Sequence, residues 1–190
     1  MKATWEPSKY LEIITNNFYL CSIKENDISE KQVLWLQDKE VNRWLNSYHK
    51  THTVKSMQNY IRKFDNYNSF QLGIFLKCKK KQIGYFSILI DHFHKTAEIR
   101  VLIGEKEWWG KGVVLECRKA IIDWLFYDLK LYKIFGSPIV NNIAAVFNYQ
   151  KQGFNCESIL KEHKIVNYDK RCDVAIFSIF RKDWIKRYNK

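Results

Sequence analysis

The 190-residue sequence predicts an α/β domain built on a mixed, mainly antiparallel sheet flanked by helices. Three observations predict it. Apolar residues recur at helical spacing in the first third of the chain. Runs rich in β-branched and aromatic residues then follow one another between positions 70 and 103, and a helical period returns after a Gly-Lys-Gly turn. The resulting order is β-α-α-β-β-β-α-β-α-β-β.

Asn17 to Ile23 reads as the first strand. Asp27, Ser29 and Glu30 supply cap-type residues before a helix whose apolar face runs from Val33 to Leu45. A polar, aromatic loop from Asn46 to His52 leads to Thr53, which caps a second helix carrying Met57, Tyr60, Ile61 and Phe64. Phe70 to Leu76, Gln82 to Ile90 and Thr96 to Ile103 read as consecutive antiparallel strands joined by short polar segments. Val114, Leu115, Ile121, Ile122, Leu125 and Phe126 then line one face of a long helix. A strand from Tyr132 to Val140, a short helix from Asn142 to Lys151 ended by Gly153, and strands from Phe154 to Lys161 and Cys172 to Phe180 complete the chain. With only 2 prolines and 7 glycines there is little room for a linker, so residues 1–190 read as one domain with residues 1–16 as an N-terminal extension.

Composition narrows the class. The start, Met1 to Glu6, lacks the apolar core of a secretion signal, and the apolar run from Ile83 to Ile90 is too short to span a bilayer. Cys21, Cys78, Cys117, Cys156 and Cys172 are scattered and never in a Cys-x-x-Cys spacing, which favours reduced thiols and a cytoplasmic location. The net charge of +12 attracts anions, whether nucleic acid, an acidic surface or a phosphorylated ligand, or else it serves solubility. The basic stretch from Lys77 to Lys81 sits between two strand patterns and reads as a solvated turn.

Chemistry concentrates between Glu98 and Gly112. In Trp108-Trp109-Gly110-Lys111-Gly112-Val113, two glycines stand after a strand and before a long helix. Glycine lets the backbone turn sharply and approach a ligand. The helix N-terminus behind it presents unpaired N–H groups and the positive end of the dipole, a setting that binds phosphate or pyrophosphate. Lys111 adds a charge. The segment lacks both the Gly-Lys-Ser/Thr ending of a nucleotide P-loop and the third glycine of a dinucleotide fingerprint. On the preceding strand, alternation places Ala97, Ile99 and Val101 on one face and Glu98 and Arg100 on the other.

With its downstream segment Asn142-Ile143-Ala144-Ala145 and Tyr149-Gln150-Lys151-Gln152-Gly153-Phe154, the sequence resembles the GNAT acetyltransferase superfamily. The likeness is to the branch of ribosomal-protein N-terminal acetyltransferases of the RimJ/RimL kind, from about Asn17 to Trp184. The resemblance implies a GNAT-like fold, acetyl-CoA as co-substrate, and direct transfer of acetyl to a primary amine in a ternary complex, without a metal. It places Trp109, Gly110, Lys111, Gly112, Val113 and Val114 around the coenzyme A pyrophosphate. Trp109 stands where the family pattern has Arg or Gln, and Val114 replaces its final Gly/Ala.

Further roles follow from the same likeness. Asn142 would bond the pantetheine arm, or merely cap its helix. Tyr149 would lie near the sulfur and protonate the departing thiolate, or merely pack under the sheet. Glu98 would be the general base that deprotonates the amine, or the partner of Arg100 in a salt bridge that lowers its basicity. A backbone N–H near Leu102 or Ile103 would hold the attacked carbonyl oxygen.

The acceptor is less defined. Tyr48, His49 and His163 are acceptor-side candidates, while His92-x-His94 beside Asp91 lacks the further ligand that a metal site needs. The positive charge suits a small anionic acceptor such as an amino sugar nucleotide or an aminoacyl-nucleotide antibiotic. The resemblance points instead to a protein N-terminus. A third reading is a basic nucleic-acid-binding module on a degenerate acetyltransferase fold, which intact Glu98, Gly112, Asn142 and Tyr149 oppose.

Overall fold

Strand pairing begins inside the segment read as an extension. The computed structural model describes residues 3–4, 10–45, 50–78, 81–166 and 170–188. Within them one 9-stranded sheet forms. It comprises β1 (Ala3–Thr4), β2 (Glu12–Ile14), β3 (Phe18–Ser22), β4 (Ser69–Leu76), β5 (Gln82–Asp91), β6 (Thr96–Ile103), β7 (Lys133–Gly136), β8 (Asn155–Val166) and β9 (Lys170–Phe180). The spatial order is β1-β2-β3-β4-β5-β6-β7-β9-β8. Every neighbouring pair is antiparallel except β6 and β7. β2 pairs with β3, and Leu11 just before it and Ile13 within it are fully buried, so this part of the extension belongs to the core.

Among the described residues six α-helices cover the sheet: α1 (Glu30–Gln37), α2 (Lys39–Asn42), α3 (Val54–Ile61), α4 (Val113–Asp123), α5 (Ile143–Lys151) and α6 (Arg181–Tyr188). One face packs Phe70, Phe86, Ile88 and Ile99 against Val113, Cys117 and Ile121 of α4, Tyr149 of α5 and Trp184 of α6. Burial of each such large side chain contributes on the order of 1.5–3 kcal/mol. The opposite face seats Val33, Trp35, Val41, Met57 and Ile61 of α1–α3 around Leu102.

Several boundaries differ from the sequence reading. The helix expected from Val33 to Leu45 is two helices, because Asp38 is extended and its carboxylate accepts the N–H groups of Glu40 (2.8 Å) and Val41 (3.3 Å). That makes Asp38 a cap, not a helix-interior residue. The strand expected from Tyr132 to Val140 stops at Gly136, before Pro138, and only Ile139 rejoins the sheet, bridging Val174. The helix read through Phe126 ends as α4, and Trp124–Asp128 widens into a π-type turn, with Leu129 N–H donating to the Trp124 carbonyl at 3.2 Å. The closing α6 was not anticipated. It is held by Trp184, whose indole N–H donates to Asp123 at 2.8 Å.

The basic Lys77–Lys81 stretch joins β4 to β5, with Leu76 N–H donating to the Lys81 carbonyl at 3.0 Å; residues 79–80 lie outside the described set. Glu116, near the start of α4, grips the β2–β3 turn. It accepts the Thr15 hydroxyl (2.6 Å), the Asn17 N–H (2.8 Å) and the Asn17 amide (2.8 Å). No described helix is long and apolar enough to cross a membrane.

The turn before β4 depends on Asp65. Partial burial opposes its charge, but the N–H groups of Tyr67, Ser69 and Asn68 and the Asn68 amide outweigh it, bringing its pKa from 3.8 to about 2. A depressed carboxylate contributes stability above its unfolded pKa and loses it as pH falls through the folded value. The Tm should therefore fall between about pH 4 and pH 2, and Asp65→Asn should flatten that segment of a Tm-versus-pH curve.

Candidate active site

The parallel pair β6–β7 is registered over only three positions, Thr96 with Lys133, Ala97 with Ile134 and Glu98 with Phe135. Beyond them β7 ends while β6 continues to Ile103, so the two strands part. Along β6, successive residues turn their N–H and C=O alternately to either side. Gly104 donates to Ile83 of β5 at 2.9 Å. Leu102 and Arg100 therefore also face β5, opposite Tyr85 and Ser87, while Ile99, Val101 and Ile103 face the gap.

Two side chains satisfy the ends of that exposed edge. The Tyr149 hydroxyl donates to the Ile99 carbonyl at 3.1 Å, and the Trp109 indole N–H donates to the Ile103 carbonyl at 2.9 Å. Val101 lies between them, its backbone turned to the gap. Leu102, expected to offer an N–H here, is turned away by alternation, and its buried side chain packs with α1 and α3. Ile103 stays on the gap side.

At one end of the gap lies the glycine loop. Gly110 (φ 72°) and Gly112 (φ 76°) both adopt left-handed backbone, which glycine alone takes without strain. A Cβ at either position would meet nothing within 4 Å, so the loop faces open space. Gly112 is the N-cap of α4 and provides no side-chain cap. The first-turn N–H groups thus keep the unsatisfied state of a helix start. Val113 is buried, and Val114 packs against the core in helical backbone, so its position does not require glycine.

The loop is anchored by Trp108, edge-on to Phe18 at 6.0 Å between ring centroids. The Lys111 ammonium lies 5.3 Å from the Trp108 ring centre. A depression of about 400 Å³ beside the loop is lined by Lys111, Trp108, Phe18, Asn17, Leu76, Cys78 and Glu116. Open glycines, an uncapped helix start and a lysine fit an anionic ligand such as a pyrophosphate.

Tyr149 is held rigidly. Its ring stacks on Phe177 (5.4 Å, 8°) and meets Phe154 edge-on (5.1 Å, 76°). Its helix ends in a Schellman arrangement, with Phe154 N–H donating to the Tyr149 carbonyl (3.1 Å) and Gly153 N–H to the Gln150 carbonyl (2.9 Å). Burial pushes the phenol pKa up. Asn142 caps α5, accepting the Ala145 N–H at 3.2 Å.

On the other face of β6, Glu98 is clamped. Arg100 binds it through two N–H groups (2.6 and 3.0 Å), and the Ser137 hydroxyl donates to it at 3.0 Å. The salt bridge weighed in the sequence reading is therefore present. The pKa of Lys164, half-buried on β8, is pulled down by burial first and then by the nearby Arg100 guanidinium, with Glu98 opposing. His163, its neighbour on β8, is exposed. The β8–β9 register breaks between Leu160 and Lys164, and Lys164, which sequence reasoning missed, is the residue whose charge is felt at this cluster. Tyr48 and His49 lie outside the described residues.

His92 stacks on Tyr67 (4.3 Å between ring centroids), with its Nε2 3.0 Å from the Tyr67 carbonyl, away from the gap. Among the described residues, no three His, Cys, Asp or Glu side chains gather as metal ligands. Of the sequence-predicted residues, then, the fold brings Ile103, Trp109 and Tyr149 to the gap, sets Glu98 on the opposite face of β6 at its last position paired with β7, places the Gly110–Val114 segment at the end of the gap, and leaves His163 at the surface.

Residues 18–155 match the family described as acetyltransferase (GNAT) domain. Over 93 residues the chain is 30% identical to the spermidine N(1)-acetyltransferase of Escherichia coli (strain K12), covering 48% of this chain and 50% of that one. The chain thus spans about half the length of this curated relative. The crystal structure of spermidine N-acetyltransferase from Vibrio cholerae, in complex with CoA and spermine, superposes with a TM-score of 0.79 at 20% identity, covering 89% of this chain and 98% of that one. The ribosomal-protein-S5-alanine acetyltransferase from Vibrio fischeri gives a TM-score of 0.79 at 19% identity, covering 91% and 98%. At these identities the structural likeness is one of fold.

Tyr149 occupies space that Gly136 leaves open: a Cβ on Gly136 would sit 1.9 Å from its hydroxyl. Gly136→Ala should push the phenol off the Ile99 carbonyl and cost about 1–3 kcal/mol of stability, read as a lower denaturation midpoint at unchanged m-value.

Proposed function

The chain belongs to the GNAT acetyltransferase family, and from that premise we propose that it moves an acetyl group from acetyl-CoA to a primary amine by direct transfer in a ternary complex. The observation that carries this reading is the parting of β6 and β7, with the anion-fitted loop at one end and a carboxylate at the other. When bound, acetyl-CoA supplies a thioester carbonyl activated toward an amine. The backbone of Gly110 to Val114, with the N-terminus of α4, would hold its pyrophosphate, aided by Lys111. Trp109 closes that end of the gap. Asn142 serves first as the cap that starts α5 and so sets Tyr149.

Val101 and Ile103 would direct backbone N–H groups at the developing oxyanion. Glu98 would take a proton from the amine, and Tyr149 would give one to the sulfur. Glu98 starts this work chelated by Arg100.

The acceptor we favour is a small anionic amine, such as an amino sugar nucleotide or an aminoacyl-nucleotide antibiotic. Arg100 and Lys164 outnumber Glu98 at this face. An acceptor phosphate or carboxylate would compete for Arg100 and so free the carboxylate. The same two cations oppose a polycation such as spermidine. A peptide N-terminus is the second reading. The exposed edge strand β8, which carries Lys164 to the cluster, favours it, since an extended peptide can add to such an edge.

Acetyl-CoA should raise the Tm, whereas a shift with RNA and none with acetyl-CoA would replace the enzyme reading with a nucleic-acid-binding module. In acetylation assays across amino nucleotide sugars, aminoacyl nucleotides, peptide N-termini and spermidine, an anionic amine should have the highest kcat/KM. Glu98→Gln should lower kcat by about two orders of magnitude. Arg100→Ala should raise the acceptor KM about tenfold without changing that for acetyl-CoA. Equal turnover of spermidine would refute the anionic-acceptor reading.

A further inference from the structure

Arg118 on α4 is a charged side chain that the reading above leaves unused, and it is only 1% exposed. Its Nε donates to Oε1 of Gln152, and the Gln152 amide donates to the Leu115 carbonyl at 2.8 Å. Its Nη2 makes no hydrogen bond among the described residues. Burying a guanidinium with an unmet donor is expensive, and an apolar side chain of similar volume would fill the space without that cost. What the guanidinium gains is an aromatic face: its Cζ lies 4.2 Å from the ring centre of Tyr149 and 5.4 Å from that of Phe154. A cation over an aromatic ring is attracted to it, most strongly where water is excluded.

We propose that Arg118 is a positioning residue for acetyl transfer, whose cation against the ring of Tyr149 stabilises the phenolate left when Tyr149 gives up its hydroxyl proton. The inference rests on Tyr149 being the acid. As the amine nitrogen bonds to the carbonyl carbon, the carbon–sulfur bond breaks and its electron pair stays on sulfur. The Tyr149 proton then neutralises that sulfur, and Glu98 holds the proton released by the amine. Return of this proton to Tyr149 through solvent restores both groups and balances the cycle.

Such an acid faces an obstacle that Arg118 offsets. Burial pushes the Tyr149 pKa up, whereas a thiol ionises at about pH 8.5, so a buried phenol would be a reluctant donor. Among the charged groups around it, Arg118 from α4 counters the burial most, Glu98 from β6 adds to it, and Arg100 from β6 counters it. The Phe177 and Phe154 faces bring no charge. Arg118 is itself opposed by burial and supported by Tyr149 and Tyr188, and a guanidinium stays protonated in proteins.

The test follows the phenol directly. Tyrosine labelled at the ring carbon bearing oxygen is titrated by NMR in the unliganded protein, with Tyr149→Phe assigning the resonance. In Arg118→Met the ionisation of Tyr149 should move up by at least about one pH unit, and kcat should fall about tenfold with the acetyl-CoA Kd unchanged. Arg118→Lys should recover part of both. If Arg118→Met does not fold, Gln152→Met, which unties the guanidinium while keeping its charge, should give a smaller shift in the same direction. In the Tyr149→Phe background, Arg118→Met should change kcat less than about twofold. An unmoved Tyr149 titration, or an equal kcat loss in both backgrounds, overturns the proposal while leaving the acid role standing. A Tyr149→Phe enzyme with unchanged kcat overturns the acid role itself, and the proposal with it.

Discussion

Parallel strands that pair over three positions and then separate leave backbone groups facing a gap, and a buried peptide group without a partner is costly. The gap persists because side chains, not a neighbouring strand, meet that demand. Tyr149 satisfies Ile99 and Trp109 satisfies Ile103, which keeps β6 from pairing further and leaves the Val101 backbone between them. Much of the rest of the fold supports these two donors. Gly136 makes room for the phenol, Phe177 and Phe154 fix its plane, and the Schellman turn at Gly153 ends the helix that carries it. On the Trp109 side, Trp108 ties the loop to β3, and Glu116 ties the start of α4 to the β2–β3 turn.

The sheet also separates two electrostatic tasks. Toward α4 it presents backbone dipoles, open glycines and Lys111, a setting for anions that needs few formal charges. Toward α1–α3 it presents one carboxylate shared by Arg100 and Ser137, with Lys164 close by. In the proposed reaction, an acceptor anion that displaces Arg100 would free the Glu98 carboxylate, which would couple acceptor recognition to chemistry within a few residues of one strand.

Motifs that act through the backbone were legible in the sequence. Gly110 and Gly112 sit where a positive φ is required, Thr53 and Asn142 cap the helices they precede, and the alternation of Glu98 and Arg100 against Ile99 and Val101 follows from strand geometry alone. Val114, a departure from the family pattern, is accommodated because its backbone is helical and its side chain joins the core. Boundaries set by competing local interactions were less legible. Asp38 divides a helix whose apolar spacing runs past it, and β7 stops at Gly136 although the β-type composition continues.

By itself, then, the sequence determined the order of most elements, the glycine loop before α4 and the residue types available for acid, base and anion binding, because those depend on propensity and spacing along the chain. Which groups meet was decided only by tertiary structure. The bulged β8–β9 hairpin brings Lys164, not His163, to Glu98. The packing of α4 against α5 sets Arg118 on Tyr149, residues 31 positions apart whose contact no local pattern encodes. The register of β6 turns Val101, and not Leu102, toward the gap, since a strand's two edges are told apart only by the neighbour that claims one of them.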